Sequence, residues 1–217
     1  MTSNMTTKEN DDCNSAPDSL KFIDKRNHIQ ITGDKLPHWE QANRVQFVTF
    51  RLADSLPQTK LQEFTDNKRV WLEHHPKPWD EATQQEYDSF ANAMEKWIDA
   101  GYGSCVLQYP KVRAVMTDTL LHFDSDRYYL HAFVIMPNHV HVLLTPRNEN
   151  LTQDIVGSWK KFSAREVNKV LEREGTVWER DSFDRMIRSK MDYDKKLRYI
   201  INNPKELPSG TYTLFVK

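Results

Sequence analysis

YYLHAFVIMPNHVHVLLT, residues 128–145, is the stretch from which the rest of the chain can be read. Tyr128 to Met136 and His139 to Thr145 are rich in β-branched and aromatic residues, and only Pro137-Asn138 separates them. Two such runs this close in sequence are expected to pair antiparallel. On a strand, side chains at i and i+2 share a face. His139 and His141 therefore project together, into solvent or a cleft, while Val140, with Leu143 and its neighbours, is expected to face apolar packing. Two neighbouring imidazoles can take a divalent metal if a third ligand is near. The same His-x-His also arises on any polar strand face, and the pattern alone does not choose.

Outward from this hairpin, Val45 to Leu52 reads as a strand and Leu61 to Leu72 as a helix. His74-His75-Pro76-Lys77-Pro78 interrupts, because a residue before proline avoids the helical region. Asp80 to Asp99 is a predicted helix: Tyr87, Phe90, Met94 and Trp97-Ile98 recur at spacings of three and four, and Gly101 supplies a stop. Lys111 to Phe123 is another, with Val112, Val115, Met116, Leu120 and Phe123 on its apolar side. Downstream come a basic helix from about Thr152 to Glu172, a strand candidate within Thr176 to Arg188, and a last helix from Tyr193 to Asn203 ended by Pro204. Mixed elements with short connections and few parallel crossovers predict an α+β class with an antiparallel sheet. Residues 1–35 are polar and acidic and are expected to form a disordered tail, leaving 36–217 as the domain.

An apolar content of 38% over 217 residues suffices for one ordinary core. Apolar runs such as Val140 to Leu144 fall far short of the roughly 20 residues that span a bilayer. Met1 to Asn10 lack a basic segment followed by an apolar one, so no secretory signal is expected. Cys13 and Cys105 form neither a disulfide framework nor a zinc pattern, and a reduced cytoplasmic protein is expected. The net charge of −1 argues against a uniformly basic nucleic-acid binder. Its distribution is uneven: residues 158–198 hold twelve Lys/Arg against eight Asp/Glu, and residues 1–40 hold five against seven. A local basic surface on a neutral protein suits one short DNA element. An ordinary solvated helix face would read the same way.

In Arg198-Tyr199-Ile200-Ile201-Asn202-Asn203-Pro204, Tyr199 and Asn203 are four apart and stack on one helix face. Asn203 offers an amide oxygen suited to a hard cation, and Tyr199 offers a phenol to the same place. A phenol with a pKa near 10 is a poor nucleophile at neutral pH without a metal or base beside it. The plainer reading is a packed tyrosine at a helix end with an asparagine cap.

Residues 129–144 closely resemble the signature of the single-tyrosine HUH transposases, and in particular the REP-associated tyrosine transposases (transposase IS200-like). Leu36-Pro37-His38-Trp39 and Phe47-Val48-Thr49-Phe50-Arg51-Leu52 resemble that branch's opening. Trp159-Lys160-Lys161-Phe162-Ser163 resembles its DNA-contacting helix, and Trp178 with Phe183-Asp184-Arg185-Met186-Ile187-Arg188 resembles the strand beyond. Tyr199-Ile200 with Asn203-Pro204 matches its nucleophile helix.

The resemblance implies a ferredoxin-like antiparallel sheet with flanking helices, the HUH endonuclease fold. It implies a metal-dependent endonuclease and transposase that cleaves and rejoins single-stranded DNA at hairpin repeat elements through a 5′-phosphotyrosine on Tyr199. Mg²⁺ or Mn²⁺ would sit on His139 and His141, with Asn203 as third ligand. Exposed bases can stack on aromatics while basic side chains hold phosphates; the candidates are Lys160, Lys161, Arg165, Arg185, Arg188 and Trp178. Asn138 either shapes the turn into the metal strand or touches DNA. Residues 63–102 look like a helical insertion. No membrane or small-molecule substrate is expected, the protein would be a monomer or homodimer, and its place would be a bacterial cytoplasm near the nucleoid. The alternatives are a domesticated, non-cleaving DNA-binding protein at chromosomal hairpin repeats, and a phosphodiesterase or RNA-binding module on a similar sheet. His131 is expected in the core or supporting the site. Tyr193 is turned about 240° around the helix from Tyr199, and His74-His75 is expected to play no metal role.

Overall fold

The computed structural model describes residues 20–24, 26–32, 38–76 and 79–217. In chain order the elements are β1 (Gln30–Thr32), β2 (His38–Glu40), β3 (Gln46–Arg51), α1 (Gln58–His74), α2 (Glu81–Asp99), α3 (Pro110–Leu121), β4 (Tyr128–Ile135), β5 (His139–Pro146), α4 (Thr152–Val170), β6 (Phe183–Met186), α5 (Lys190–Asn202) and β7 (Thr213–Val216). Five strands form one sheet in the order β6-β3-β5-β4-β7, every pairing antiparallel. Setting aside β7, the path β3-α3-β4-β5-α4-β6 with this strand order is the ferredoxin-like arrangement, and the class is α+β as expected.

Alternation along β5 sorts the molecule into layers. Val140, Val142 and Leu144 join Val48, Phe50 and Leu52 of the β3 segment in a core with Val112, Met116 and Leu120 of α3 and Ile155, Val156, Trp159 and Val167 of α4. On the opposite face, Leu143 packs with Val45, Phe47, Ala132, Val134 and Ile200 beneath α5. Leu143 thus lies on the face of the histidines, not of Val140: odd positions share a side, and that side has its own core. This second core excludes one of the two placements left open for the histidines. His139 and His141 do not reach solvent but are fully buried. A register shift between Leu130 and Ala132 in the β4–β5 ladder sets His131 apart on the α5 side, where its Nε2 lies 2.8 Å from Thr145 Oγ1 and its ring meets Tyr193 edge-on. Burial, with Lys217 adding repulsion, lowers its pKa to about 4. His131 is a core histidine.

Helix α5 starts on a Ser189 cap that accepts from Asp192 N at 3.2 Å. Helix α4 has no cap of its own. Glu40 of β2 supplies one, accepting from Thr152 N and from Thr152 Oγ1 (2.7 Å). Beside it, His38 Nδ1 bonds Asp184 Oδ1, and Gln153 Nε2 donates to the same oxygen at 2.7 Å. Helices α1 and α2 form a hairpin stapled by aromatic edges, Phe64 on Phe90 and Trp97, and Trp71 on Trp79 and Phe90. Nothing is said of the Met94 side chain, which lies outside the described residues. Among the described residues no helix is long and apolar enough to cross a membrane.

Two boundaries and the role of one residue differ from the sequence reading. Residues 1–19, Cys13 among them, and Leu36-Pro37 lie outside the described residues. Within the stretch read as a tail, however, Val45 N donates to Lys21 O at 3.0 Å and Ile23 N to Ile187 O at 3.1 Å, Leu20 and Phe22 pack on the α5-side core, and β1 pairs with β2. The strand expected within 176–188 is confined to Phe183–Met186, with one isolated bridge from Leu52 to Trp178. Trp178, read as a base-stacking candidate, is 5% exposed. It donates to Ser163 Oγ at 2.9 Å and packs edge-on against Phe50. It is a core residue.

Two outcomes follow from this packing. Trp178→Ala is expected to lower the unfolding free energy by about 3–5 kcal/mol in urea titration; a loss below about 1 kcal/mol would show that the site collapses without cost. His38 has a pKa raised by its bond to Asp184, against the opposing effect of burial. Its stabilisation is therefore full below 6.5, the free-histidine value, and is lost as pH rises through the raised one. Melting curves of wild type and His38→Gln should accordingly converge as pH climbs; parallel curves would refute the linkage.

Candidate active site

The site begins with the amide of Asn138, in the two-residue turn between β4 and β5. Its Nδ2 donates to Ile98 O (3.0 Å) and Tyr102 O (3.1 Å), which leaves Oδ1 to accept from His139 Nδ1 at 2.8 Å. His139 Nε2 must then carry a lone pair in the neutral ring. His141 Nδ1 lies 2.7 Å from Thr49 Oγ1 on the neighbouring β3, a hydroxyl able to donate or accept. The two Nε2 atoms stand 3.0 Å apart. With its proton on Nε2, His141 donates to His139. With the proton on Nδ1, which Thr49 accepts, two lone pairs converge, an arrangement that a cation compensates.

From α5, Tyr199 brings its hydroxyl to 3.3 Å from His141 Nε2 and 3.3 Å from Asp99 Oδ2. Its ring meets His141 edge-on, with centroids 5.1 Å apart. One turn earlier, Lys196 is buried with its Nζ 4.3 Å from the Phe47 ring centre and 4.9 Å from that of Tyr199. Asn203, at the end of α5, donates from Nδ2 to Asp99 Oδ1 at 3.3 Å, while its Oδ1 is buried without a hydrogen-bond partner among the described residues. An unpaired buried acceptor is costly, and a hard cation would satisfy it.

Asp99 is the last residue of α2, and its side chain is one-third exposed. Its Oδ1 is 3.3 Å from His139 Nε2 and 4.0 Å from His141 Nε2. Burial pushes its carboxyl up, but bonds to His139 and His141 outweigh this and hold it well below the ordinary carboxylate range. Burial, and after it the neighbouring His139, lowers the His141 pKa to about 3, so that imidazole is neutral and ready to ligate at neutral pH. The donor set of two imidazoles with oxygens of Asp99 and Asn203 beside them fits a divalent cation.

The structure thus brings together Tyr199, His139, His141 and Asn203, the four residues singled out for chemistry. It adds Asp99, Thr49 and Lys196, which the sequence reading missed. Lys196 carried a signal, lying three residues before Tyr199 on the same helix face. Asp99 carried a subtler one: a carboxylate closing a helix opposes the macrodipole, at a cost of ~0.3–1 kcal/mol.

The expected DNA contacts divide. Asn138 is 1% exposed with both polar atoms of its side chain bonded inside, so its amide is engaged in orienting His139. Lys160 donates to the carbonyls of Glu179, Arg180 and Asp181 at 3.1–3.2 Å. Burial lowers its pKa to about 8; it ties α4 to the loop before β6 and is not a free phosphate ligand. Arg185 is engaged with Asp192 by bonds of 2.5 and 2.6 Å. Lys161, Arg165 and Arg188 are exposed, and the Arg165 guanidinium lies 5.3 Å from the centre of the Phe162 ring, itself 46% exposed.

Residues 110–203 match the family described as "Transposase IS200 like". This segment, a little under half of the chain, runs from the start of α3 to Asn203. No curated protein sequence matches the chain. Among solved structures, similarity extends to a REP-associated tyrosine transposase bound to a REP hairpin, at 16% identity and a TM-score of 0.43, covering 78% of this chain and 71% of that one. It extends also to a protein described as a transposase from Deinococcus radiodurans R1, at 15% identity and a TM-score of 0.31, covering 73% of this chain and 89% of that one.

Asn138→Ala would strand a histidine N–H and take a donor from the Tyr102 carbonyl, while the Ile98 carbonyl keeps the Gly101 N–H at 3.2 Å. A stability loss of about 1–3 kcal/mol is expected for the buried groups left unpaired. Mn²⁺ affinity should fall about 10–100-fold as His139 loses its orientation, measured by calorimetric titration. Unchanged Mn²⁺ affinity would remove Asn138 from the site.

Proposed function

We propose, for a chain whose residues 110–203 belong to the IS200-like transposases, that it cuts and rejoins single-stranded DNA through Tyr199 beside a divalent cation. The observation that carries this reading is the meeting of a tyrosine hydroxyl with a buried histidine pair, 3.3 Å from His141 Nε2, on elements far apart in sequence. His139, His141 and Asn203 would hold Mg²⁺ or Mn²⁺. When bound, such an ion draws charge from the non-bridging oxygens of a phosphate and orients it.

The remaining work belongs to side chains. Tyr199 Oη attacks the scissile phosphorus in line with the leaving 3′ oxygen. The tyrosine–phosphorus bond forms as the phosphorus–O3′ bond breaks, the phenolic proton is given up, and the departing oxygen takes one to become a 3′ hydroxyl. The chain is left joined to the 5′ phosphate. One phosphodiester replaces another, so a second 3′ hydroxyl can reverse the step and join a new strand without a high-energy cofactor. A free phenol would be mostly protonated at neutral pH. The Lys196 ammonium close to the Tyr199 ring favours the anion that develops during attack, and the depth of the site strengthens that attraction.

Substrate binding is assigned to the exposed part of α4 and the end of β6. Phe162 offers a stacking face, and Arg165, Lys161 and Arg188 offer phosphate partners. A hairpin with a flanking single strand is the substrate class that the sequence resemblance implies.

Denaturing gels of the full chain with end-labelled hairpin oligonucleotides and Mn²⁺ test the reading. Wild type should give a covalent band on the 5′-phosphate side. Tyr199→Phe should give none while binding the same oligonucleotide nearly as well. Cleavage that survives in Tyr199→Phe would mean an activated water is the nucleophile, and the proposal would fail.

A further inference from the structure

We infer that Asp99, at the end of α2 and outside the segment that matches the transposase family, is a ligand of the cation and ties it to the nucleophile. The inference rests on the metal-centred reading above and adds a residue to it.

The first argument is distance. Ligands at ~2.1 Å on adjacent corners of an octahedral ion stand ~3 Å apart. Nε2 of His139 and Nε2 of His141 are 3.0 Å apart, and Asp99 Oδ1 is 3.3 Å from the first and 4.0 Å from the second. All three atoms lie within 4.8 Å of one another. The second argument is hydrogen count. In the neutral ring the bond to Asn138 leaves a lone pair on His139 Nε2, and an ionised carboxylate has only acceptors. With the His139 ring neutral, its Nε2 and Asp99 Oδ1 face each other at 3.3 Å without a proton between them, and the His141 proton can serve only one. A shared cation resolves what hydrogen bonding leaves unsatisfied.

The third argument is placement. The Asn138 amide that orients His139 also takes the Ile98 carbonyl, one residue before Asp99. Beyond α2 the chain turns back at Gly103, where φ is +93° and a Cβ would meet Asp54 O at 2.5 Å. Ser104 N then donates to Asp54 Oδ2 at 2.8 Å. The end of α2 is thus held from both sides, and the carboxylate is delivered to the histidines instead of left in solvent. Its second oxygen lies 3.3 Å from the Tyr199 hydroxyl and Asn203 Nδ2 reaches the first, so one carboxylate touches the cation site, the nucleophile and the end of α5.

Metal binding without DNA tests this directly. Mn²⁺ titrations of the full chain, followed by calorimetry and by the free Mn²⁺ electron-spin signal, compare wild type, Asp99→Asn, Asp99→Cys and His141→Ala. Asp99→Asn should weaken Mn²⁺ at least tenfold with an unchanged melting temperature. Asp99→Cys should lose Mn²⁺ but recover Cd²⁺, with the ultraviolet band of a thiolate–cadmium bond, which a merely structural aspartate would not produce. If His141→Ala loses Mn²⁺ while Asp99→Asn retains wild-type affinity and Asp99→Cys shows no thiolate–cadmium band, Asp99 is not a ligand and the two-histidine reading stands without it. If His141→Ala binds Mn²⁺ as wild type does, the metal-centred reading itself fails and this inference with it.

Discussion

A single buried amide sets the geometry of this protein's centre. Asn138 has one acceptor and two donor hydrogens to place. One choice satisfies all of them: the acceptor on His139 and the donors on two carbonyls at the end of α2, Ile98 in its last turn and Tyr102 just beyond it. Rotating the amide would oppose its hydrogens to the His139 N–H and its oxygen to two carbonyl oxygens. The hydrogen-bond network therefore fixes the imidazole tautomer, the angle of the ring and the seat of α2 together. A buried network of this kind holds its geometry because its polar groups are satisfied together.

The second constraint is that both faces of the sheet are covered. A strand bearing histidines at alternate positions would ordinarily present them to water. Here α5 covers that face of the sheet through Ile200 and Leu197, with Tyr199 edge-on to His141, and the imidazoles become part of an interior. Burial keeps His141 neutral across the physiological range, so protons do not compete for its lone pair. The same low dielectric makes the ionised Asp99 and the buried Lys196 matter more than they would at a surface.

Much of this was legible beforehand. Period-two alternation over residues 128–145 located the central hairpin, and the spacing of Tyr199 and Asn203 put them on one helix face. What stayed hidden has a physical reason in each case. The covering of the histidine face depends on α5, whose docking no local pattern of β5 reports. Strand β7 pairs Leu214 and Val216, both partly exposed, at a sheet edge, so its side chains carry no clear apolar alternation. Lys160 and Trp178 looked like nucleic-acid contacts from the resemblance and their residue types, but a lysine can equally gather three carbonyls and a tryptophan can fill a core. Asp99 lay in a helical segment whose apolar pattern belongs to its own hairpin, and a lone carboxylate at a helix end points nowhere until the fold places it.

The order in which such a centre can assemble follows from how far apart its pieces lie along the chain. His139 and His141 sit on a hairpin closed by two residues, a unit that forms locally and fast. Thr49 is 92 residues from His141, Tyr199 is 58 from it, and Asp99 is 100 from Tyr199. Contacts at such separations pay loop-closure entropy first and form late. A nascent chain therefore holds its histidine pair well before the tyrosine is seated against it. If the proposed function holds, newly made molecules would acquire the means to break DNA only once Tyr199 is seated against the histidines, which would couple the hazard of that activity to the completeness of the fold.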